Sequence, residues 1–107
     1  MEEGFKVVFV QGSELFSVCE RLAEVAYAIG KVTKPLKNCG PLCVFDNEED
    51  ARKFKMGTDA VYKCKYSRSK HDRVWNRDTS TSIMFLPKGT VLADEVILTE
   101  ELLPNHP

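Results

Sequence analysis

The chain has little that announces a chemistry. It carries two histidines, one tryptophan and a net charge of −1 over 107 residues. A charge so close to zero gives no overall pull towards nucleic acid or an anionic membrane. It shows no internal repeat and no low-complexity segment, which excludes solenoids and disordered tails as an account of the whole. The longest purely apolar run near its start is Val7 to Val10, far short of the roughly 20 residues that span a bilayer. The opening Met1-Glu2-Glu3 has neither the basic start nor the apolar stretch of a secretory signal. The expectation is therefore a soluble cytoplasmic protein whose cysteines are reduced thiols.

What is present suits one small domain. Apolar residues make up 43% and charged residues 29%, close to the composition of ordinary globular domains. A chain of this length has room for one core and not two. We therefore expect a single domain over residues 1–107, with residues 104–107 flexible.

Phe5-Lys6-Val7-Val8-Phe9-Val10 reads as a strand, and with Lys6 its only polar residue it is expected to be buried on both faces. Gln11-Gly12-Ser13 ends it as a turn. Residues 14–29 fit two patterns. Leu15, Val18, Cys19, Leu22, Val25, Ala26 and Ile29 recur at helical spacing, with Ser13 as a cap and Gly30 as a stop, whereas Val25, Tyr27 and Ile29 alternate as in a strand. Leu42 to Phe45 is a short apolar strand. Asp46 with Glu49 three positions on forms a capping-box pair for a helix from Asn47 to Lys55, which turns Ala51 and Phe54 inward and ends at Gly57. Ala60 to Tyr66 alternates, with Tyr62, Cys64 and Tyr66 on one face and Val61, Lys63 and Lys65 on the other.

Ser67 to Ser82 is polar and aperiodic, and is expected to be a mobile or partly exposed loop. Ile83 to Leu86 reads as a strand. Val91-Leu92 and Glu95 to Leu98 are strand material, and Thr99 is placed to cap a final helical turn through Leu103, stopped by Pro104. The fold class that follows is α+β: a small, mainly antiparallel sheet of about five or six short strands with one or two helices. Phe5, Val7, Phe9, Phe45, Phe54, Tyr62, Phe85 and Ile97 are expected to form one core, with Phe54→Ala costing about 3–5 kcal/mol.

Two groups of residues invite a chemistry. Cys39 and Cys43 flank a Gly-Pro turn, and with Cys64 and His71 they would make a tetrahedral zinc set. Cys43 and Cys64 lie in apolar strand patterns, however, where cysteine serves as a buried thiol. No metal is therefore expected. The stretch from Lys63 to Arg77 holds Lys63, Lys65, Arg68, Lys70, Arg73 and Arg77 around Tyr66 and Trp75. Cations that neutralise phosphates beside aromatic faces that stack on bases are the minimum for single-stranded nucleic acid. Tryptophan and arginine are equally the residues of protein-binding hot spots. Trp75, Arg73, Arg77, Lys63 and Lys65 are the candidate partner-binding residues.

Several short motifs recur in a familiar order. Tyr27-Ala28-Ile29-Gly30-Lys31 precedes Gly40-Pro41-Leu42-Cys43-Val44-Phe45-Asp46. Ala51, Phe54 and Val61-Tyr62-Lys63-Cys64-Lys65-Tyr66 follow, and the series closes on Lys88-Gly89-Thr90-Val91-Leu92-Ala93-Asp94-Glu95-Val96. This order resembles small uncharacterised domains of microbial and viral proteins, and distantly the second half of ADP-ribosyltransferase-type domains. The resemblance implies an α+β sheet, a nicotinamide dinucleotide (NAD) as cofactor, and Glu95 as the acidic residue on a late strand that orients a nucleophile. The family's first strand carries an arginine or histidine that grips the dinucleotide, where this chain has Lys6, and Ser17 is the nearest match to the family's serine.

The first functional expectation is a non-enzymatic binding or accessory domain for a protein or small ligand, with no cofactor. The alternative is an ADP-ribosyltransferase-like enzyme using NAD. A second alternative is single-stranded nucleic-acid binding through residues 63–77.

Overall fold

Hydrogen bonding around the first strand sets the architecture. In the computed structural model, which describes residues 1–17, 25–76 and 78–103, β1 (Glu2–Gln11) turns at Gly12-Ser13 and pairs with β2 (Glu14–Ser17). β3 (Ala26–Tyr27) pairs alongside β2, and β4 (Val32–Thr33) follows. β5 (Leu42–Phe45), the helix α1 (Glu48–Phe54) and β6 (Ala60–Arg68) come next. A hairpin of β7 (Arg73–Trp75) and β8 (Ser80–Ser82), a 3-10 turn over Ile83–Phe85, and the 13-residue β9 (Thr90–Leu102) complete the order.

Every strand pair is antiparallel, and the pairing closes on itself. β1 pairs with β6, β6 with β9, β9 with β5, and β5 returns to β1 through Phe5 and Phe45. The sheet is thus a small barrel, flanked by β2–β3 on β1 and by β4 on β9. The expected α+β class with a mainly antiparallel sheet is found. The strands number more than the expected five or six, because the described residues include seven in the main sheet and two in the hairpin.

Side-chain alternation divides the apolar residues between the two faces. Val8, Leu42, Val44, Tyr62, Cys64, Tyr66, Val91, Ala93, Val96 and Leu98 fill the barrel. Val7, Phe45 and Val61 face outward and are covered by Ala51 and Phe54 of α1. Cys43 and Leu92 face outward beneath Val74 of the hairpin and Leu86. The core is therefore three clusters rather than one. Phe9 and Phe85, expected within it, are 43% and 78% exposed, and Ile97 is half-buried.

Gly4 permits the closure. A Cβ there would stand 2.8 Å from both the Phe45 carbonyl oxygen and the Tyr66 ring, so only glycine lets β5 come this close to β1. Lys6 is buried to 1% exposure, as its strand pattern implied. Its ammonium donates to the Cys43 carbonyl at 2.6 Å and lies 5.4 Å from the Tyr27 ring centroid. A lysine enclosed this way is held by acceptors inside the barrel.

The helix begins one residue later than expected. Asp46 donates its amide to the Gly89 carbonyl and stays with the strand, so Asn47 becomes the cap, its Oδ1 accepting from the Asp50 amide at 2.8 Å. The helix closes on Lys55, ahead of Gly57.

Four further expectations give way. Leu15 lies in a strand, and Ser13 sits in the hairpin turn and caps no helix. Residues 18–24, with Cys19 and Leu22, fall outside the described residues, as do residues 104–107, and beyond them Ala26-Tyr27 is strand with Val25 and Tyr27 buried, as the alternation implied. Ser67 to Ser82 is exposed over much of its length, as expected, but it is not a single loop: Ser67-Arg68 end β6, Arg73–Trp75 and Ser80–Ser82 pair as β7 and β8, and Asn76 Oδ1 accepts from the amides of Asp78 and Thr79 at their turn. Ile83 to Phe85 coils instead of extending, because Ser82 caps it and the Ile83 amide bonds to the Asp72 carbonyl. Thr99 starts no helix, since Glu100, Glu101 and Leu102 pair with β6.

Candidate functional site

Two bulges in β9 decide which of its acidic residues look into the barrel. Ser67 pairs with Glu95 and Arg68 with Ala93, leaving Asp94 unpaired, while Cys64 pairs with Leu98 and Lys63 with Glu100, leaving Thr99 unpaired. An extra residue re-aims everything beyond it. The second bulge brings Glu101, and not Glu100, opposite the inward-facing Tyr62. Thr99 is anchored there by its Oγ1, which donates to the Lys63 carbonyl at 3.1 Å.

The result is a polar pair at the barrel's mouth. The Tyr62 hydroxyl donates to Glu101 Oε1 at 3.3 Å. Burial raises the Tyr62 phenol above its ordinary pKa, and the Glu101 carboxylate raises it further by charge and by accepting its proton. Around this pair opens a cavity of about 750 Å3. Val10, Leu15, Ile29 and Leu102 give it apolar walls, and Arg52, Lys55, Asp59, Tyr62 and Glu101 are its charged and polar lining. Barrel mouths of this size with a few convergent polar groups are common ligand sites.

Local hydrogen bonds hold the rim. Arg52 reaches Glu48 at 2.7 Å and the Leu103 carbonyl at 3.0 Å, tying α1 to the end of β9. Lys55 Nζ donates to the Gly57 carbonyl at 2.9 Å, and Asp59 Oδ2 accepts from the Met56 amide at 3.3 Å.

The residues singled out from sequence lie elsewhere. Glu95 is on the outer face of β9, 3.5 Å from Lys34 Nζ, and does not line the mouth. Lys63 and Lys65 are exposed on β6, but their cross-strand neighbours include Glu100 and Glu3, which break up the positive face. Trp75 is half-buried. Its backbone bridges to Gly40, and the His71 ring meets it edge-on at 4.8 Å between centroids. Arg73 is exposed beside Ser82, and Arg77 lies outside the described residues.

Cys43 and Cys64, weighed above as zinc ligands and expected to be buried thiols, do not converge. Cys43 faces the outer cluster and Cys64 the barrel interior, on opposite sides of the sheet. Among the described residues no cluster of three metal-ligating side chains forms. Burial pushes the Cys64 thiol up to about 12, so it is no nucleophile at neutral pH.

Sequence reasoning missed the mouth because its central pair is 39 residues apart and meets only through the Thr99 bulge. Among the described residues no helix is long and apolar enough to cross a membrane. No protein-family model, curated protein or solved structure matches this chain significantly.

Proposed function

We propose that the chain is a small non-enzymatic binding domain that takes a small ligand in the mouth of its barrel. The observation that carries this reading is the cavity of about 750 Å3 with the Tyr62–Glu101 pair on an otherwise largely apolar wall. Apolar walls supply the drive for burial, and a few fixed polar groups supply orientation. A fragment screen read by amide chemical shifts tests it. Binding fragments are expected to perturb Val10, Leu15, Ala60 and Tyr62 together. Fragments that perturb only residues away from the mouth would rule the site out.

A second reading concerns a protein partner. Ile83, Met84 and Phe85 are 37%, 76% and 78% exposed in consecutive positions beside the β7–β8 hairpin. Contiguous exposed apolar side chains of this kind mark contact surfaces. Arg73, across from Ser82, adds a cation at the edge, matching a partner whose apolar surface carries nearby carboxylates. A photo-crosslinker at position 85 is expected to capture such a partner, and Met84→Ser with Phe85→Ser to abolish capture without changing the melting temperature.

A further inference from the structure

We infer that the ligand of the barrel mouth is an organic cation, an ammonium group on an apolar body, held by Glu101 with Asp59. This rests on the reading of the mouth as a ligand site.

The charged groups at the mouth differ in the partners they already have. Arg52 is committed to the Glu48 carboxylate and the Leu103 carbonyl. Lys55 is turned onto the Gly57 carbonyl. The carboxylates differ. Among the described residues Glu101 accepts from the neutral Tyr62 hydroxyl alone, and Asp59 from the Met56 backbone amide alone, both at 3.3 Å. The ion pairs among the described residues join Lys34 to Glu95, Arg52 to Glu48, Lys53 to Glu49 and Arg68 to Glu2, and neither Asp59 nor Glu101 takes part in one.

A carboxylate oxygen has capacity for further donors, and a charged donor is a stronger partner than a neutral one. Val10, Leu15, Ile29 and Leu102 offer apolar surface to an aliphatic body beside these carboxylates. An anion could meet Lys55, but it would also face both carboxylates. Tyr62 sharpens the preference. It is 5% exposed and donates to Glu101 Oε1, and Oε2 has no hydrogen-bond partner among the described residues.

Three probes of equal chain length separate the outcomes: hexylammonium, hexanol and hexanoate, each titrated into the full chain near neutral pH and followed by amide shifts. Hexylammonium is expected to perturb Ala60, Tyr62, Glu101 and Leu102 with at least about tenfold tighter binding than hexanol. Glu101→Gln should remove most of that advantage and leave hexanol binding unchanged. Asp59→Asn, on the rim, gives the same comparison if Glu101→Gln folds poorly. Hexanoate or hexanol binding as tightly as hexylammonium overturns the cation and leaves the mouth a ligand site. Failure of all three to perturb these residues overturns both.

Discussion

The Tyr62 hydroxyl and the Glu101 carboxylate meet at 3.3 Å only because Thr99 is bulged out of β9. Without that extra residue Glu100 would stand opposite Tyr62, and Glu101 would point away from the barrel.

This pairing makes the phenol a reporter. Tyr62 is expected to ionise above the ordinary tyrosine range, with burial the largest single cause and the Glu101 charge and hydrogen bond adding to it. Glu101→Gln should lower its titration part of the way back without restoring the ordinary value. Ultraviolet difference titration, with Tyr62→Phe to assign the signal, checks this. A titration unmoved by Glu101→Gln would show that the pair does not form.

Stability should fall in alkali. Burial raises Cys64 from 9.0 to about 12 and also raises Tyr62 and Tyr66. Between the unfolded and folded values the native state holds protons that the unfolded state has released, so unfolding becomes easier as pH rises. The contribution of Cys64 is fully present below pH 9 and is lost towards about 12, a change on the order of 4 kcal/mol at about 1.4 kcal/mol per unit. Urea midpoints measured from pH 7 upward should hold steady and then decline, and Cys64→Ala should flatten the decline. In the native protein Cys39 should alkylate before Cys43 and Cys64, which are buried.

Gly4→Ala is expected to destabilise the domain by about 1–3 kcal/mol, as overpacking does. The new methyl would press on the Phe45 carbonyl and the Tyr66 ring. Hydrogen exchange should then quicken at Phe5 and Phe45, where the ring of strands closes, more than along β6–β9. Uniform quickening would mean that the closure is not the strained point.

Phe54→Ala should cost about 3 kcal/mol, the low end for a core phenylalanine, because Phe54 is half-buried against Phe45 with ring centroids 5.4 Å apart. Phe85→Ala should change stability by less than about 0.5 kcal/mol, as exposed positions do. Chemical denaturation of the two variants gives the comparison.

Much of the frame was legible because it rests on local signals. The alternation of β6 put Tyr62, Cys64 and Tyr66 inside and Lys63 and Lys65 outside, as observed. The cap before α1 was displaced by one residue, since Asp46 and Asn47 are both good caps and only the bond from Asp46 to Gly89 chooses between them. The alternation of Val25 and Tyr27 marked β3, whereas the two-residue β4 left no pattern to read, being defined by its pairing with the distant β9. Ile83 to Phe85 misled because apolar residues in a row look like a buried strand. The mouth was hidden for a different reason: strand register is a tertiary property, and no composition or spacing near Glu101 records a bulge.

The direction of the strands also separates the ends of the described chain. β1 and β9 both run antiparallel to β6, so they run parallel to each other, with Glu2 beside Tyr66 and Leu102 beside Val61. Those two points on β6 are about 17 Å apart at roughly 3.3 Å per residue. A fusion partner or affinity tag joined before Met1 would sit across the barrel from the mouth. One attached beyond Leu103 would stand at its rim, beside Arg52 and Glu101, and would compete with whatever enters.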